Sequence, residues 1–253
     1  MPSSSGNSRR QMVELLAQQI RGLEGARQAD FGEPVSSGCP GFDRWLPEQG
    51  FRRGTLVEWL AAESGSGAGL LALVAARSAC QEGGALVVVD RQQEFYPPAA
   101  AALGIDTTGL VIVRPRNQRD DWWAIEQALR SQGVGAVWCR CDQVAAPRDD
   151  NRLFRRFQLA AERGGALGLV VRPAAARRLP SWADMRLWVE PLAAREGRCL
   201  RVELLHSRHA ATGGRLAAAR PATVELIVDD ETGAVRVAPQ LAVATTGQRA
   251  ARA

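Results

Sequence analysis

Residues 54–73, GTLVEWLAAESGSGAGLLAL, constrain this chain more than any other stretch. An apolar run, Thr55 to Leu60, leads into a loop of small residues, Ala61 to Gly69, and then into an apolar helical pattern from Leu70 to Ala79. Strand, small-residue loop and helix in that order make a phosphate-binding P-loop, whose bare backbone lets N–H groups close around an anion. The chemistry of that motif is absent. In G-x-x-x-x-G-K-[ST] the lysine neutralises the β- and γ-phosphates and the hydroxyl holds Mg²⁺. The frame here is Ala62, Glu63, Ser64, Gly65, Ser66, Gly67, Ala68, Gly69. Only the second glycine is kept, so the expectation is a nucleotide-binding fold without efficient ATP hydrolysis.

With 253 residues, 46% of them hydrophobic, the chain can bury a substantial core as one large α/β domain. Cys39, Cys80, Cys139, Cys141 and Cys199 are scattered and odd in number. Cys139 and Cys141 sit two apart on a strand and point alike, without the C-x-x-C spacing of a metal or redox site. A reducing, cytoplasmic setting is expected. The N-terminus lacks a signal-peptide apolar region, and no apolar run nears the roughly 20 residues of a membrane span. The net charge of +5 comes wholly from arginine, which permits nucleic acid or an acidic protein as partner without dictating either.

Residues 1–32 divide into a Ser, Gly and Arg-rich arm and an amphipathic helix over Gln11 to Leu23. Its apolar stripe is Met12, Leu15, Leu16, Ile20 and Leu23, which packs on its own domain or docks a partner. Residues 33–240 form the core. A short helix around Phe42 to Leu46 precedes the P-loop segment, and Ala85 to Asp90, Leu110 to Val113, Val134 to Cys139 and Leu167 to Val171 read as buried strands. Helices alternate with them: one from Pro97 to Gly104, one capped by Asp120 or Asp121, and one capped by Asp149 or Asp150 over Arg152 to Arg163. This alternation predicts an open, mostly parallel sheet flanked by helices. Met185 to Val189, Leu200 to Leu205, Val224 to Val228 and Ala234 to Val237 lack intervening helices and predict antiparallel C-terminal strands. Residues 241–253 are small and polar, expected to be a disordered tail.

Ser37, Gly38 and Asp43, followed by Gly54 to Glu58, resemble the opening motifs of the RecA core. Asp90 to Asp106, Met185 to Val189 and Val202 to Ala210 (VELLHSRHA) match further segments of it in order. Over roughly residues 33–238 the chain resembles the catalytically degenerate RecA relatives, the ImuA and SulA group. The resemblance places Ala68 at the phosphate lysine, Gly69 at the magnesium-binding hydroxyl, and Gln92 at the water-activating carboxylate. Arg140 falls at the strand-terminal aspartate, which Asp142 supplies under a two-residue slip. An amide cannot accept a proton near neutral pH, so these losses imply no hydrolysis and no cofactor. Glu63, Ser64, Gly65, Ser66, Gly67, Ala68 and Gly69 are left as a P-loop remnant.

His206 and Arg208 match the basic pair that in RecA reaches a neighbour's nucleotide. The second DNA loop is shortened to Pro173–Pro180, keeping Arg177 and Arg178, while Arg152, Arg155 and Arg156 share a face of the helix after the first. These arginines are either a solvated surface or contacts to DNA or an acidic partner. Trp45, Trp59, Trp138 and Trp188 occupy core-like positions, and the adjacent Trp122 and Trp123 cannot both face inward. His206 and His209 have no companion ligands at metal spacing. The resemblance implies a non-enzymatic adaptor in SOS-induced translesion DNA synthesis. Its partners would be an ImuB-like Y-family polymerase homologue and an error-prone C-family polymerase, with RecA and DNA as further contacts. A SulA-like inhibitor of the cell-division GTPase and a weak ATPase are the alternatives.

Overall fold

The computed structural model describes residues 32–81, 83–142, 147–193, 197–208, 222–229 and 232–239. The helix expected over Gln11 to Leu23, with Met12, Leu15, Leu16, Ile20 and Leu23, the tail 241–253 and His209 lie outside them.

The apolar runs form the parallel half of one nine-stranded sheet, and their helices cross its two faces. The order is β3-β2-β4-β5-β1-β6-β7-β8-β9. Along the chain run α1 (Pro40–Trp45), β1 (Leu56–Ala61), α2 (Ala68–Gln81), β2 (Ala85–Val89), α3 (Pro97–Ala102), β3 (Leu110–Val113) and α4 (Gln118–Arg130). Then follow β4 (Val134–Arg140), α5 (Pro147–Gly164), β5 (Leu167–Pro173), β6 (Met185–Leu192), β7 (Arg198–Ser207), β8 (Thr223–Val228) and β9 (Val235–Val237). Strands β1 to β6 pair in parallel, with β1 between β5 and β6; β6 to β9 pair antiparallel. This is the α/β architecture expected, including the antiparallel C-terminal extension.

One core lies on the side of α1 and α2, around Phe42, Trp59, Leu71 and Leu187. The other lies beneath α4 and α5, around Ile125, Phe154, Phe157 and Val170. Strands β1, β2, β4 and β5 are covered on both sides, which is why they are apolar along their length. Strand β6 alternates instead: Met185, Leu187 and Val189 are buried, while Arg186, Trp188 and Glu190 face the other way. Trp188 is therefore a half-buried side chain on the partly open face and not a core residue as its apolarity suggests. Trp45, Trp59 and Trp138 are buried, and of the adjacent pair Trp123 is the outward one.

Two helix starts differ from the sequence reading. Asn117, not Asp120 or Asp121, caps α4, its side-chain oxygen accepting the Asp120 N–H at 3.0 Å. Helix α5 begins at Pro147, a residue suited to a first turn because its missing N–H would have no partner there. Asp149 and Asp150 consequently lie inside that turn, where Asp150 is buried. The Ser37-Gly38-Asp43 motif is a local lock: Asp43 accepts from the Ser37 N–H at 2.7 Å and the Ser36 hydroxyl at 2.6 Å, anchoring the chain ahead of β1.

Gly67 closes the loop after β1 with φ at +85°, and a Cβ there would stand 2.5 Å from Leu200 of β7. Gly67→Ala combines a disfavoured backbone with overpacking, and is expected to destabilise the fold by about 1–3 kcal/mol in urea unfolding. Leu200 is itself fully buried, so Leu200→Ala is costly alone, but the double variant should lose less than the sum of the two single losses, because the clash is with that side chain.

Candidate functional site

The remnant loop leaves β1 at Ala61 and enters α2 at Ala68. Its turn closes through the Ser66 N–H, which donates to the Glu63 carbonyl at 3.2 Å, and Gly67 supplies the carbonyl that accepts from Leu71 at 3.0 Å. Glu63, Ser64 and Gly65 are exposed, whereas Ser66, Gly67 and Ala68 are buried. Trp138 of β4 lies against the start of α2, its indole N–H donating to the Gly69 carbonyl at 3.2 Å. Strands β2 and β4 are neighbours in the sheet, so the loops at their ends meet beside this one. There Gln92 donates to Asp142 at 3.0 Å, and Arg140 donates to Asp142 at 3.2 Å and to Glu94 at 2.6 Å. Asp90 fixes the loop that carries Gln92 and Glu94 by accepting from the Glu94 and Phe95 N–H groups at 3.0 and 3.1 Å.

Gln92, Arg140 and Asp142 thus come together as the sequence motifs require. Glu94, a carboxylate two residues beyond Gln92, joins them from the loop after β2, a position that no sequence motif marks. Both carboxylates accept from one guanidinium, so a fixed cation of the chain stands between them. Magnesium and ATP do not fit this residue set: Ala68 has no charge for phosphate, Gly69 has no hydroxyl for metal, and Arg140 brings a positive charge among the acids. Among the described residues no group of three or more His, Cys, Asp or Glu side chains is placed to hold a metal ion.

A second charged cluster lies under α5. Glu58, the last residue of the Gly54–Glu58 motif, is fully buried in β1 and accepts from Arg172 of β5 at 2.8 Å and from Arg186 of β6. Arg172 also grips Asp150 with two nitrogens, at 2.7 and 3.1 Å, and lies over the Phe154 ring. Burial works against the Arg172 charge, but Glu58 and Asp150 together outweigh it and raise its pKa. Arg186 reaches on to the Ala176 carbonyl at 2.8 Å, so the cluster ties β1, β5, β6, α5 and the 174–178 turn into one unit.

The expected contact arginines disperse. Arg155 donates to Gln158 at 2.6 Å and stacks on Trp182, while Arg156 turns the other way to Glu126 of α4, so these two do not share one face. Arg152 is exposed, as is Arg178. Arg177 bonds Glu203 at 2.8 Å and covers Trp188. His206 and Arg208 lie at the end of β7 that pairs with the start of β6, the sheet edge opposite the remnant loop. Arg208 is held there by Asp184 at 3.1 Å and the Trp182 carbonyl at 3.2 Å. Burial, then Arg208 and Arg186, pushes the His206 pKa down. Its imidazole should titrate below its ordinary midpoint of about 6.5 by NMR. Because the folded form takes up its proton at lower pH than the unfolded chain, this group's contribution to stability falls as pH drops through that midpoint. Arg208→Ala should move the midpoint upward.

The order of the sheet, the helices on both faces and the glycine loop between β1 and α2 define a P-loop-type α/β domain. Within that class, a model described as the RecA N-terminal domain matches residues 19–152, more than half of the chain, and the chain belongs to this family. The crystal structure of the RadB recombinase superposes with a TM-score of 0.59 at 13% identity, covering 81% of this chain and 100% of that one. No curated protein matches the sequence. No helix among the described residues is long and apolar enough to cross a membrane.

Proposed function

We propose that this RecA-family chain works as a non-hydrolysing adaptor in SOS-induced translesion DNA synthesis and damage-induced mutagenesis. It would bind an ImuB-like Y-family polymerase homologue and an error-prone C-family polymerase. The observation that carries the reading is the nucleotide site itself: Ala68 and Gly69 begin α2, and Arg140 bridges Glu94 and Asp142 beside Gln92. A family whose fold is kept while its phosphate, metal and water-activating groups are replaced retains surfaces and loses turnover. The resemblance of the motif set to the ImuA group supplies the pathway.

The test is ATP turnover and binding by the purified full chain with Mg²⁺. Turnover at background is the expected result. One observation favours a weak ATPase instead, the Asp142 carboxylate at the end of β4 next to Gln92. Metal-dependent turnover that Asp142→Asn or Glu63→Gln abolishes would replace the adaptor reading with that one.

A further inference from the structure

Helices α4 and α5 form an outer layer, and its exposed side carries Arg152 and Arg156, two of the expected contact arginines. Glu126, buried between them, accepts from Arg130 of its own helix at 2.7 Å and from Arg156 of α5. Each helix follows one parallel strand and leads into the next, so the two run in the same direction. One turn back from Glu126 and Arg156 therefore puts Trp123 and Arg152 on one side of the helix pair, and a further turn back Arg119 and Arg148. Trp123 is 62% exposed, in the middle of a helix whose other apolar side chains pack inward. Arg119, Arg130, Arg148, Arg152 and Arg156 are all exposed around it. One buried carboxylate serves two of these guanidinium groups, so the pair keeps a net positive charge and two forks held in place.

The geometry points to this α4–α5 face as the docking surface for an acidic segment of a partner protein, its carboxylates on the arginines and an apolar side chain over the Trp123 indole. An exposed tryptophan among arginines, two of them held by Glu126, has the composition of protein-binding hot spots, and guanidinium forks match carboxylates two bonds at a time. A nucleic-acid backbone fits less well. Exposed Asp120, Asp149 and Glu162 lie on the same two helices; they would repel a uniform row of phosphates, whereas a peptide can space its charges to avoid them. This surface deepens the adaptor reading and rests on it.

The probe is a fluorescein-labelled amphipathic peptide of about five helical turns, built from Glu, Leu and Phe and titrated against the full chain by anisotropy. Trp123→Ala is expected to weaken binding at least about tenfold, and Arg152→Glu to weaken it with a reduced dependence on salt. Arg44→Glu, exposed on α1 at the other side of the sheet, should change nothing. Thermal melts check that the variants stay folded, which the exposure of both side chains favours. Equal binding by Trp123→Ala, equal binding of a peptide with Lys in place of Glu, or tighter binding of single-stranded oligothymidine through the same residues would overturn the proposal. Polymerase partners captured from damaged cells by wild type and Trp123→Ala alike would remove this surface and leave the adaptor reading standing. Intact peptide binding without captured polymerase partners would remove the adaptor reading and keep the surface.

Discussion

Glu58→Leu is expected to lower the unfolding free energy by about 3–5 kcal/mol, the loss found when one partner of a buried ion pair is removed. The side chain is fully buried and accepts from two arginines on the two strands that flank it. Without it Arg172 keeps only Asp150, and Arg186 keeps only backbone carbonyls. For a domain whose whole stability is typically 5–15 kcal/mol, this is a large fraction, and urea unfolding would show it as a displaced midpoint. Glu58→Leu combined with Arg172→Met should cost less than the sum of the two single changes, since the pair is then replaced as a unit. A loss below about 1 kcal/mol for Glu58→Leu would mean that water reaches the cluster and screens it, as it does at surface pairs.

The second large effect is on nucleotide chemistry. Ala68→Lys alone is expected to leave ATP turnover at background, although it restores the residue that most defines the motif. Each missing charge-assisted contact is worth on the order of 1.5–3 kcal/mol, and the metal ligand and the proton acceptor would still be absent, with Asp142 held by Arg140. Joining Gly69→Thr, Gln92→Glu and Arg140→Asp to Ala68→Lys should give Mg²⁺-dependent nucleotide binding, read by fluorescence of a labelled ATP analogue. Phosphate release by Ala68→Lys alone, well above a heat-killed control, would show that the Glu94, Arg140 and Asp142 cluster opens in solution to admit metal.

The parallel sheet was legible because each of its inner strands is an apolar run between glycine or proline breaks, and the antiparallel extension because its strands alternate with a period of two. Trp188 reads as core only if that same alternation is ignored: its neighbours Arg186 and Glu190 share its face, which is only partly buried. Two aspartates in succession point to Asp120 or Asp121 as the cap of α4, while the capping side chain is Asn117. The remnant P-loop was readable as composition. The Arg140 bridge was not, because Glu94 and Asp142 lie on different strand ends that only the β2–β4 pairing brings together. Glu58 was visible as a motif letter, but its role depends on arginines 114 and 128 residues away. Long-range pairing of this kind leaves no local pattern to read.

The account stands most directly on what the chain holds in the cell. Tagged full chain captured from DNA-damaged cells, with mass spectrometry of the bound proteins, is predicted to recover a Y-family polymerase homologue together with an error-prone C-family polymerase. Recovery of the cell-division GTPase with neither polymerase would contradict the adaptor role and assign the chain to the inhibitor branch of its relatives.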